Sequence, residues 1–336
     1  MKPNDEEPIR NFDLQQTTST LTLANRWDHF LIRWGYKRSK HLVNPGLYKL
    51  GNPTPDSIVF VTANYTLSFD ALRKELVGID SYILVLDTHG INVWCAAGKG
   101  TFGTDELVHR IEVTGLNKII NHRKLILPQL GAPGVAAHVV KKRFGFNVEF
   151  GPVRTSDLVE YLRTHKATKE MRQVQFTLKD RLILIPVELV SFFIPLLIIS
   201  IIFYFIGGYN LATATASAIL AAVILFPILL PWLPTHNFST KGLVLGIVVS
   251  LPFFVINIFG NGDSELWQKA GLAISSLLIL PPITSFITLN FTGATTYTSR
   301  SGVKREIFKY IPIMAWMFGG GILLSLTVRI INLLGG

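Results

Sequence analysis

Hydrophobic and polar positions divide the chain into two parts. From Ser57 to about Thr164, short apolar runs alternate with amphipathic segments, and short polar links join them. This alternation predicts βαβ units and a parallel sheet, preceded by a turn-rich approach at 44–55. The expected strands are 57–62, 82–87, 124–128 and 146–150, and the expected helices are 69–77 (capped by Ser68), 104–114, 134–144 and 156–164.

Beyond residue 181 the pattern changes to long apolar runs. Each run is long enough to cross ~30 Å of hydrocarbon at about 1.5 Å per residue. The runs are 182–206, 211–233, 241–260, 266–292 and 307–333. The fold class predicted is therefore an α/β domain, a Rossmann-like parallel sheet with a cap helix, followed by an all-α transmembrane domain of five helices.

Four regions follow from these patterns. They are an N-terminal extension at 1–55, an α/β domain at 56–165, a basic linker at 166–181 and a transmembrane domain at 182–336. The connections between the runs lie alternately on the two sides of the membrane. The positively charged connections, with Lys241 and with Arg300–Lys309, fall on the same side as the basic linker. By the positive-inside rule, we expect a multi-pass protein of the cytoplasmic (inner) membrane, with the α/β domain in the cytoplasm and the C-terminus outside.

The N-terminal extension contains one amphipathic helix. Its apolar positions, Trp27, Phe30, Leu31 and Trp34, fall at i, i+3, i+4 and i+7, and basic residues flank them. Such a helix can lie on the bilayer surface or pack on the domain that follows it. The polar start, Met1–Gln16, lacks the apolar core of a signal peptide.

Composition narrows the chemistry. One cysteine among 336 residues excludes internal disulfides and Cys-rich zinc or iron–sulfur sites within the chain. The 32 Lys+Arg and 22 Asp+Glu residues leave a net charge of +10. Many of the positive charges adjoin apolar runs, as topology signals do, so we predict no nucleic-acid partner.

The single cysteine, Cys95, lies between a buried strand that ends at Asp87 and a glycine-rich turn. This position is the carboxyl edge of the expected sheet, where α/β sheets bind ligands. Three interpretations are open: a small buried hydrophobic residue, a nucleophile with His89 as base, or a soft metal ligand. The last two are favoured by the place of Cys95 in the first turn or two of a short helix, whose N-terminus favours a thiolate, and by the cation of Lys99 one helical turn away.

His89 offers another alternative. Asp87-Thr88-His89 is similar to the opening of a cobalamin-binding motif in which the histidine ligates cobalt. That motif has a glycine three residues after the histidine, where this chain has Asn92. The sequence departs from the motif at this position, so His89 as axial ligand is the lesser alternative.

Three segments resemble a known family. Gly90–Gly103, GINVWCAAGKGTFG, closely resembles the cap-helix signature of the HgcA family, the corrinoid proteins of microbial mercury methylation. Leu125–Val135 and Gly151–Arg154 resemble the corrinoid domain shared with the large subunit of the corrinoid iron–sulfur protein. Unlike that relative, this chain has no cysteines for a cluster.

The resemblance implies a base-off, cobalamin-type corrinoid between the sheet edge and the cap helix, with Cys95 sulfur as the lower axial ligand of cobalt. Asn92 would cap the helix. Trp94 would pack behind the ring or in the core, Lys99 would pair with the corrinoid or be solvated, and Gly131 and Gly134 would bind it or turn the chain. The expected corrinoid-binding residues are Asn92, Val93, Trp94, Cys95, Ala96, Ala97, Gly98, Lys99, Thr62, Asn64, Tyr65, Thr101, Thr104, Gly131 and Gly134.

The implied activity is that of a corrinoid-dependent methyltransferase in which Cys-ligated methylcobalt delivers a methyl group to Hg(II). The implied partners are a two-cluster ferredoxin-like reductase of the HgcB type, a methyl-donor protein or methyl-tetrahydrofolate system, Hg(II) as substrate, and membrane lipid. Three alternatives remain: a membrane-anchored corrinoid- or nucleotide-binding sensor, a methyl carrier with a different acceptor, and a thiol enzyme.

Overall fold

The computed structural model describes residues 14–260, 265–295 and 299–335. It contains two compact units. One consists of Tyr36–Gln175 with the described part of Met1–Ile32, and the other of Arg33–Gly35 with the described part of Phe176–Gly336. The division after Gln175 falls inside the segment predicted as a linker.

The first unit is built on a six-stranded mixed sheet. Its strands are β1 (Leu14–Thr17), β2 (Gly46–Leu50), β3 (Val59–Ala63), β4 (Ser81–Leu86), β5 (Lys124–Leu127) and β6 (Asn147–Phe150). The order is β1-β2-β4-β3-β5-β6, and only the β2–β4 pair is antiparallel. The prediction of a parallel sheet was therefore wrong at one pair, because the expected turn-rich approach supplies β2.

The two central strands explain why the sheet forms. Every residue of β3 and β4 is buried. Alternate side chains point to opposite faces of the sheet. Val59 and Val61 pack in one hydrophobic core, and Phe60 and Ile83 pack in the other. A continuous apolar run is typical of strands covered on both faces.

Helices cover both faces of this sheet. They are α2 (Thr66–Glu75), α3 (Val93–Lys99), α4 (Thr104–Val113), α5 (Leu116–Ile119), α6 (Ala137–Phe144) and α7 (Leu158–Thr164). Helix α1 (Leu23–Arg33) precedes β2 in the chain and contacts α2 through His29 and Asp70. Helices α3, α4 and α6 share a core with Val59, whereas α2 and α7 share one with Phe60. The predicted Ser68 cap was wrong, because α2 begins at Thr66 with Tyr65 as its N-cap.

The second unit is helical. Its α-helices are α8 (Leu178–Leu182), α9 (Ile185–Leu220), α10 (Phe226–Leu229), α11 (Phe238–Phe259), α12 (Leu266–Thr288) and α13 (Arg300–Gly335). Within the described residues, four helical segments are long and apolar enough to cross a membrane: Leu178–Leu229, Phe238–Phe259, Leu266–Gly293 and Ser301–Leu334. The first contains two of the five predicted spans, and the number of crossings stays a prediction.

The first of these segments folds back on itself. Gly208, with φ 69° and ψ −167°, interrupts the helical backbone. Arg181 Nη1 donates to the Pro227 carbonyl at 3.1 Å, across a separation of 46 residues. A straight helix would place those residues about 70 Å apart at about 1.5 Å per residue. The two halves therefore run antiparallel, as two separate predicted spans require.

Polar contacts collect at both ends of this unit. Asn237 Nδ2 donates to the Tyr310 hydroxyl at 3.1 Å, so the connections predicted on the cytoplasmic side meet. Gln268 Nε2 donates to Asn332 Oδ1 at 3.1 Å, which brings the start of α12 to the last turns of α13. The side of a membrane that each end faces stays a prediction.

Helices α11 and α12 pack through small residues. A Cβ atom at Gly246 would lie 2.5 Å from Pro281 Cα, and one at Gly242 would lie 2.6 Å from Ser285 Cα. Contacts this close require the absence of a side chain, as is usual where apolar helices associate without water.

Candidate functional site

Helix α3 presents the single thiol. It has only seven residues, so its stability depends on its ends and its packing. The Asn92 side chain accepts a hydrogen bond from the Cys95 amide at 2.9 Å. Gly100, with φ 87° in the left-handed region, ends the helix. The predicted Asn92 cap is confirmed, and it acts on the backbone of Cys95 itself.

The Cys95 side chain lies on the exposed side of α3. Val93, Ala96 and Ala97 are buried on the other side, and Trp94 is half-buried. The interpretation of Cys95 as a buried hydrophobic residue was therefore wrong. An accessible thiol at this edge is able to react or bind a soft metal.

Two glycines let a neighbouring loop pack against this region. A Cβ atom at Gly134 would lie 2.1 Å from the Phe102 carbonyl oxygen and 3.1 Å from Ala97 Cα. One at Gly131 would lie 2.5 Å from Phe102 Cε1. Both glycines thus permit close packing, and both also lie in tight turns, where the Gly131 amide donates to the Pro128 carbonyl at 2.9 Å and the Gly134 amide donates to the Gly131 carbonyl at 3.0 Å. Buried Phe102, which sequence reasoning missed, is their common contact.

Asn64 connects the ends of the central strands. Its buried side-chain oxygen accepts from the Thr88 amide at 3.0 Å, the Thr88 hydroxyl at 2.9 Å and the Gly90 amide at 3.1 Å. Its Nδ2 donates to Asp87 Oδ1 at 3.1 Å. These bonds hold the loop that leads into α3, so the side chain predicted to contact a corrinoid is engaged within the protein.

The four candidates that carry a hydroxyl group divide into two kinds. Thr62 is buried within β3, and the Thr104 hydroxyl accepts from the Ala136 amide at 2.8 Å. The Tyr65 hydroxyl and Thr101 Oγ1 are buried without a hydrogen-bond partner in the described part of the chain. Because buried hydroxyls are nearly always bonded, these two are the ones able to accept a polar group from outside the chain.

The loop after β4 carries an ionic network. Glu106 Oε1 accepts from the Asp87 amide at 2.7 Å and pairs with Arg110 at 2.7 Å. His89 has φ 56°, and its amide donates to Asp87 Oδ1 at 2.9 Å. Its ring is mostly exposed, with Nδ1 3.5 Å from Asp87. Among the described residues no hydrogen bond joins His89 to Cys95, so the arrangement gives no support to a Cys–His nucleophile.

The donor set limits the kind of metal site. No group of three or more His, Cys, Asp or Glu side chains that could hold a metal occurs among the described residues. A metal retained by protein side chains alone ordinarily needs at least that many.

Known proteins are similar to the part of the chain that contains Cys95 and the residues around it. Residues 36–162 match the family model described as CO dehydrogenase/acetyl-CoA synthase delta subunit. That range runs from just before β2 through most of α7, and it includes α3 and its supporting loops.

Curated relatives match the same part of the chain. The acetyl-CoA decarbonylase/synthase complex subunit gamma of Archaeoglobus fulgidus is 32% identical over 130 residues, 38% of this chain and 27% of the relative. The corresponding subunit of Methanopyrus kandleri is 33% identical over 127 residues, 37% of this chain and 27% of the relative. That of Methanothermobacter thermautotrophicus is 27% identical over 170 residues, 45% of this chain and 37% of the relative. The chain thus spans about a quarter to a third of the length of these relatives.

Proposed function

We propose that this chain is a membrane-anchored corrinoid protein that transfers a methyl group to Hg(II), with Cys95 sulfur as the lower ligand of cobalt. The observation that carries the proposal is the exposed thiol on the Asn92-capped helix at the carboxyl edge of the sheet. Similarity to subunits of acetyl-CoA-forming complexes supports the methyl-transfer part of it. The resemblance of Gly90–Gly103 to the HgcA cap helix supports the acceptor.

The residues present fit a corrinoid. A corrinoid would bring most of its metal's ligands with it, so the single donor that Cys95 offers would suffice. The small residues Ala96, Ala97 and Gly98 follow Cys95 and present little bulk to a flat ring. The unpartnered hydroxyls of Tyr65 and Thr101 can bond to its peripheral amides.

The chain contributes position and electron density. When bound, the corrinoid would supply the methyl-transfer chemistry, and the Cys95 thiolate would hold it and supply electron density to its metal. Asn92 fixes the amide of Cys95, and Asn64 fixes the loop before α3. Phe102 packs against Gly131 and Gly134, and Gly134 in turn contacts the α3 backbone at Ala97. The sulfur is thereby held in place without a second protein ligand.

Electrons and methyl groups must arrive from other molecules. The sequence has no second cysteine with which to hold an iron–sulfur cluster. We therefore propose a two-cluster ferredoxin-like protein as reductant, and a methyl-donor protein or methyl-tetrahydrofolate system as methyl source. The apolar helices would retain the α/β unit at the cytoplasmic face of the membrane.

The test is the visible spectrum of the purified full chain loaded with cobalamin. We expect Cys95→Ala to abolish a thiolate-ligated, base-off spectrum, and the matched control His89→Ala to retain it. An unchanged spectrum in Cys95→Ala would disprove cobalt ligation by sulfur. Loss of the spectrum only in His89→Ala would instead favour the histidine-ligated alternative.

A second measurement addresses the acceptor. Methyl-loaded protein is mixed with Hg(II), and methylmercury is quantified over a single turnover by mass spectrometry. The expected product is absent with Cys95→Ala under the same conditions. Intact ligation without methylmercury would disprove the acceptor and favour a methyl carrier or sensor. A colourless protein that iodoacetamide alkylates rapidly would favour a thiol enzyme.

A further inference from the structure

Helix α1 attaches to the α/β unit through its polar side. Its Asp28 contacts His41 Nδ1 at 2.5 Å, and its His29 Nε2 contacts Asp70 at 2.6 Å. Asp70, almost fully buried, also pairs with Arg73 Nε at 2.6 Å. Buried, mutually paired side chains of this kind hold an element in one orientation, because a lone buried charge is costly.

The opposite side of α1 is apolar and exposed. Leu23 and Trp27, one helical turn apart, are 84% and 62% exposed. The Trp27 ring stacks on Phe30 at 5.2 Å between centroids, so aromatic area is gathered in one patch. Helices on water-soluble domains ordinarily face their apolar side inward. In α1 the apolar Ile32 is fully buried, whereas the apolar Leu23 and Trp27 lie exposed on the opposite side.

Exposed cations lie within α1 and in the segment that directly follows it. Arg26, Arg38 and Lys40 are exposed, and Lys37 Nζ lies 5.1 Å from the centre of the exposed Tyr36 ring. The single acid within α1, Asp28, contacts the domain. Basic residues together with Trp, Tyr and Leu are the composition that binds the headgroup region of an anionic membrane.

We infer that α1 lies in the headgroup region of the membrane leaflet beside the α/β unit, with Leu23 and Trp27 at the boundary of the hydrocarbon. The bilayer is the occupant that the molecule itself provides, since the same chain carries helices able to cross it. The inference requires membrane insertion of the chain and is independent of any cofactor.

Site-directed spin labelling of the full chain tests this placement. Cys95→Ser gives a background without thiols, into which Trp27→Cys or Leu23→Cys is introduced and labelled. Val113→Cys on α4 serves as the aqueous control, because Val113 is 56% exposed and α4 covers the other face of the sheet from α2. Val248→Cys, in the middle of α11 and 57% exposed, serves as the membrane control.

Collision with oxygen and with a water-soluble nickel chelate is measured in nanodiscs that contain anionic lipid. We expect labels at 23 and 27 to gain oxygen access and lose nickel access relative to 113. Nickel access at 27 equal to that at 113 would overturn the inference. Protection at 27 from both reagents would also overturn it, by indicating a protein partner. An aqueous label at 248 would overturn membrane insertion as well.

Discussion

Replacing Asn64 with alanine should destabilise the α/β unit through the loop that leads to α3. The change removes the acceptor for the buried Thr88 and Gly90 amides and the donor to Asp87. Each buried group left unpaired costs about 1–3 kcal/mol, so we expect a loss of about 3 kcal/mol in the free energy of unfolding. With a urea dependence of about 2 kcal/mol per M, the midpoint should fall by about 1.5 M.

Pulse proteolysis of the full chain in detergent, across a urea series, measures this midpoint for the α/β unit. The matched control is Asn121→Ala, because Asn121 makes an exposed hydrogen bond to Asp56 at 3.1 Å. We expect that control to stay within about 0.5 kcal/mol of the parent. Equal midpoints for Asn64→Ala and Asn121→Ala would refute the reasoning. If Asn64→Ala then weakened only corrinoid binding, Asn64 would be a direct cofactor contact instead.

Three further changes test the cap, the helix packing and the pH dependence. Asn92→Ala should weaken cobalamin binding about fivefold in a spectral titration, because losing an N-cap costs about 1 kcal/mol. Asn92→Asp keeps an acceptor and should retain most of the affinity. Equal affinities of the two variants would contradict the role of the cap. Gly246→Ala should lower the thermal midpoint in detergent, because its Cβ would lie 2.5 Å from Pro281 Cα. Gly320→Ala should leave the midpoint unchanged, because its Cβ would meet nothing within 4 Å. Equal midpoints for the two variants would show that α11 and α12 separate without cost. Burial and a hydrogen bond to a carboxylate raise the pKa of Tyr161 above 10.0. The native state therefore keeps the hydroxyl proton at a pH where the unfolded chain loses it. The contribution of Tyr161 to the free energy of unfolding is complete below pH 10 and declines as pH rises further. In Tyr161→Phe, unfolding midpoints measured between pH 9 and 11 should fall less steeply than in the parent, and parallel curves would contradict this.

The sequence predicted best where an element is covered on both faces or has a clear cap. The buried runs of β3 and β4 and the Asn92 cap of α3 agree with the structure, because apolar continuity and cap chemistry are local signals. The short strand β2 was missed, since five residues beside glycine and proline resemble a loop until a partner strand is known. Pairing of that kind depends on tertiary context.

The site shows the same division. The position of Cys95 followed from strand order and chain polarity, whereas the roles of Asn64 and Gly134 depended on distances that no spacing rule contains. For the apolar face of α1 the sequence left two alternatives open, the bilayer surface and the domain that follows. Periodicity identifies a face, but it does not say whether protein or lipid covers that face.

The hydrogen bond from Arg181 to the Pro227 carbonyl has a consequence for biogenesis. Pro231 has no N–H, so the carbonyl four residues before it lacks its helical donor, and the guanidinium takes that place. In hydrocarbon an unpaired carbonyl costs several kcal/mol. The guanidinium belongs to the start of one antiparallel segment and the carbonyl to the end of the other. We therefore expect the two segments to enter a membrane together as a hairpin, because the carbonyl is then paired before it leaves water.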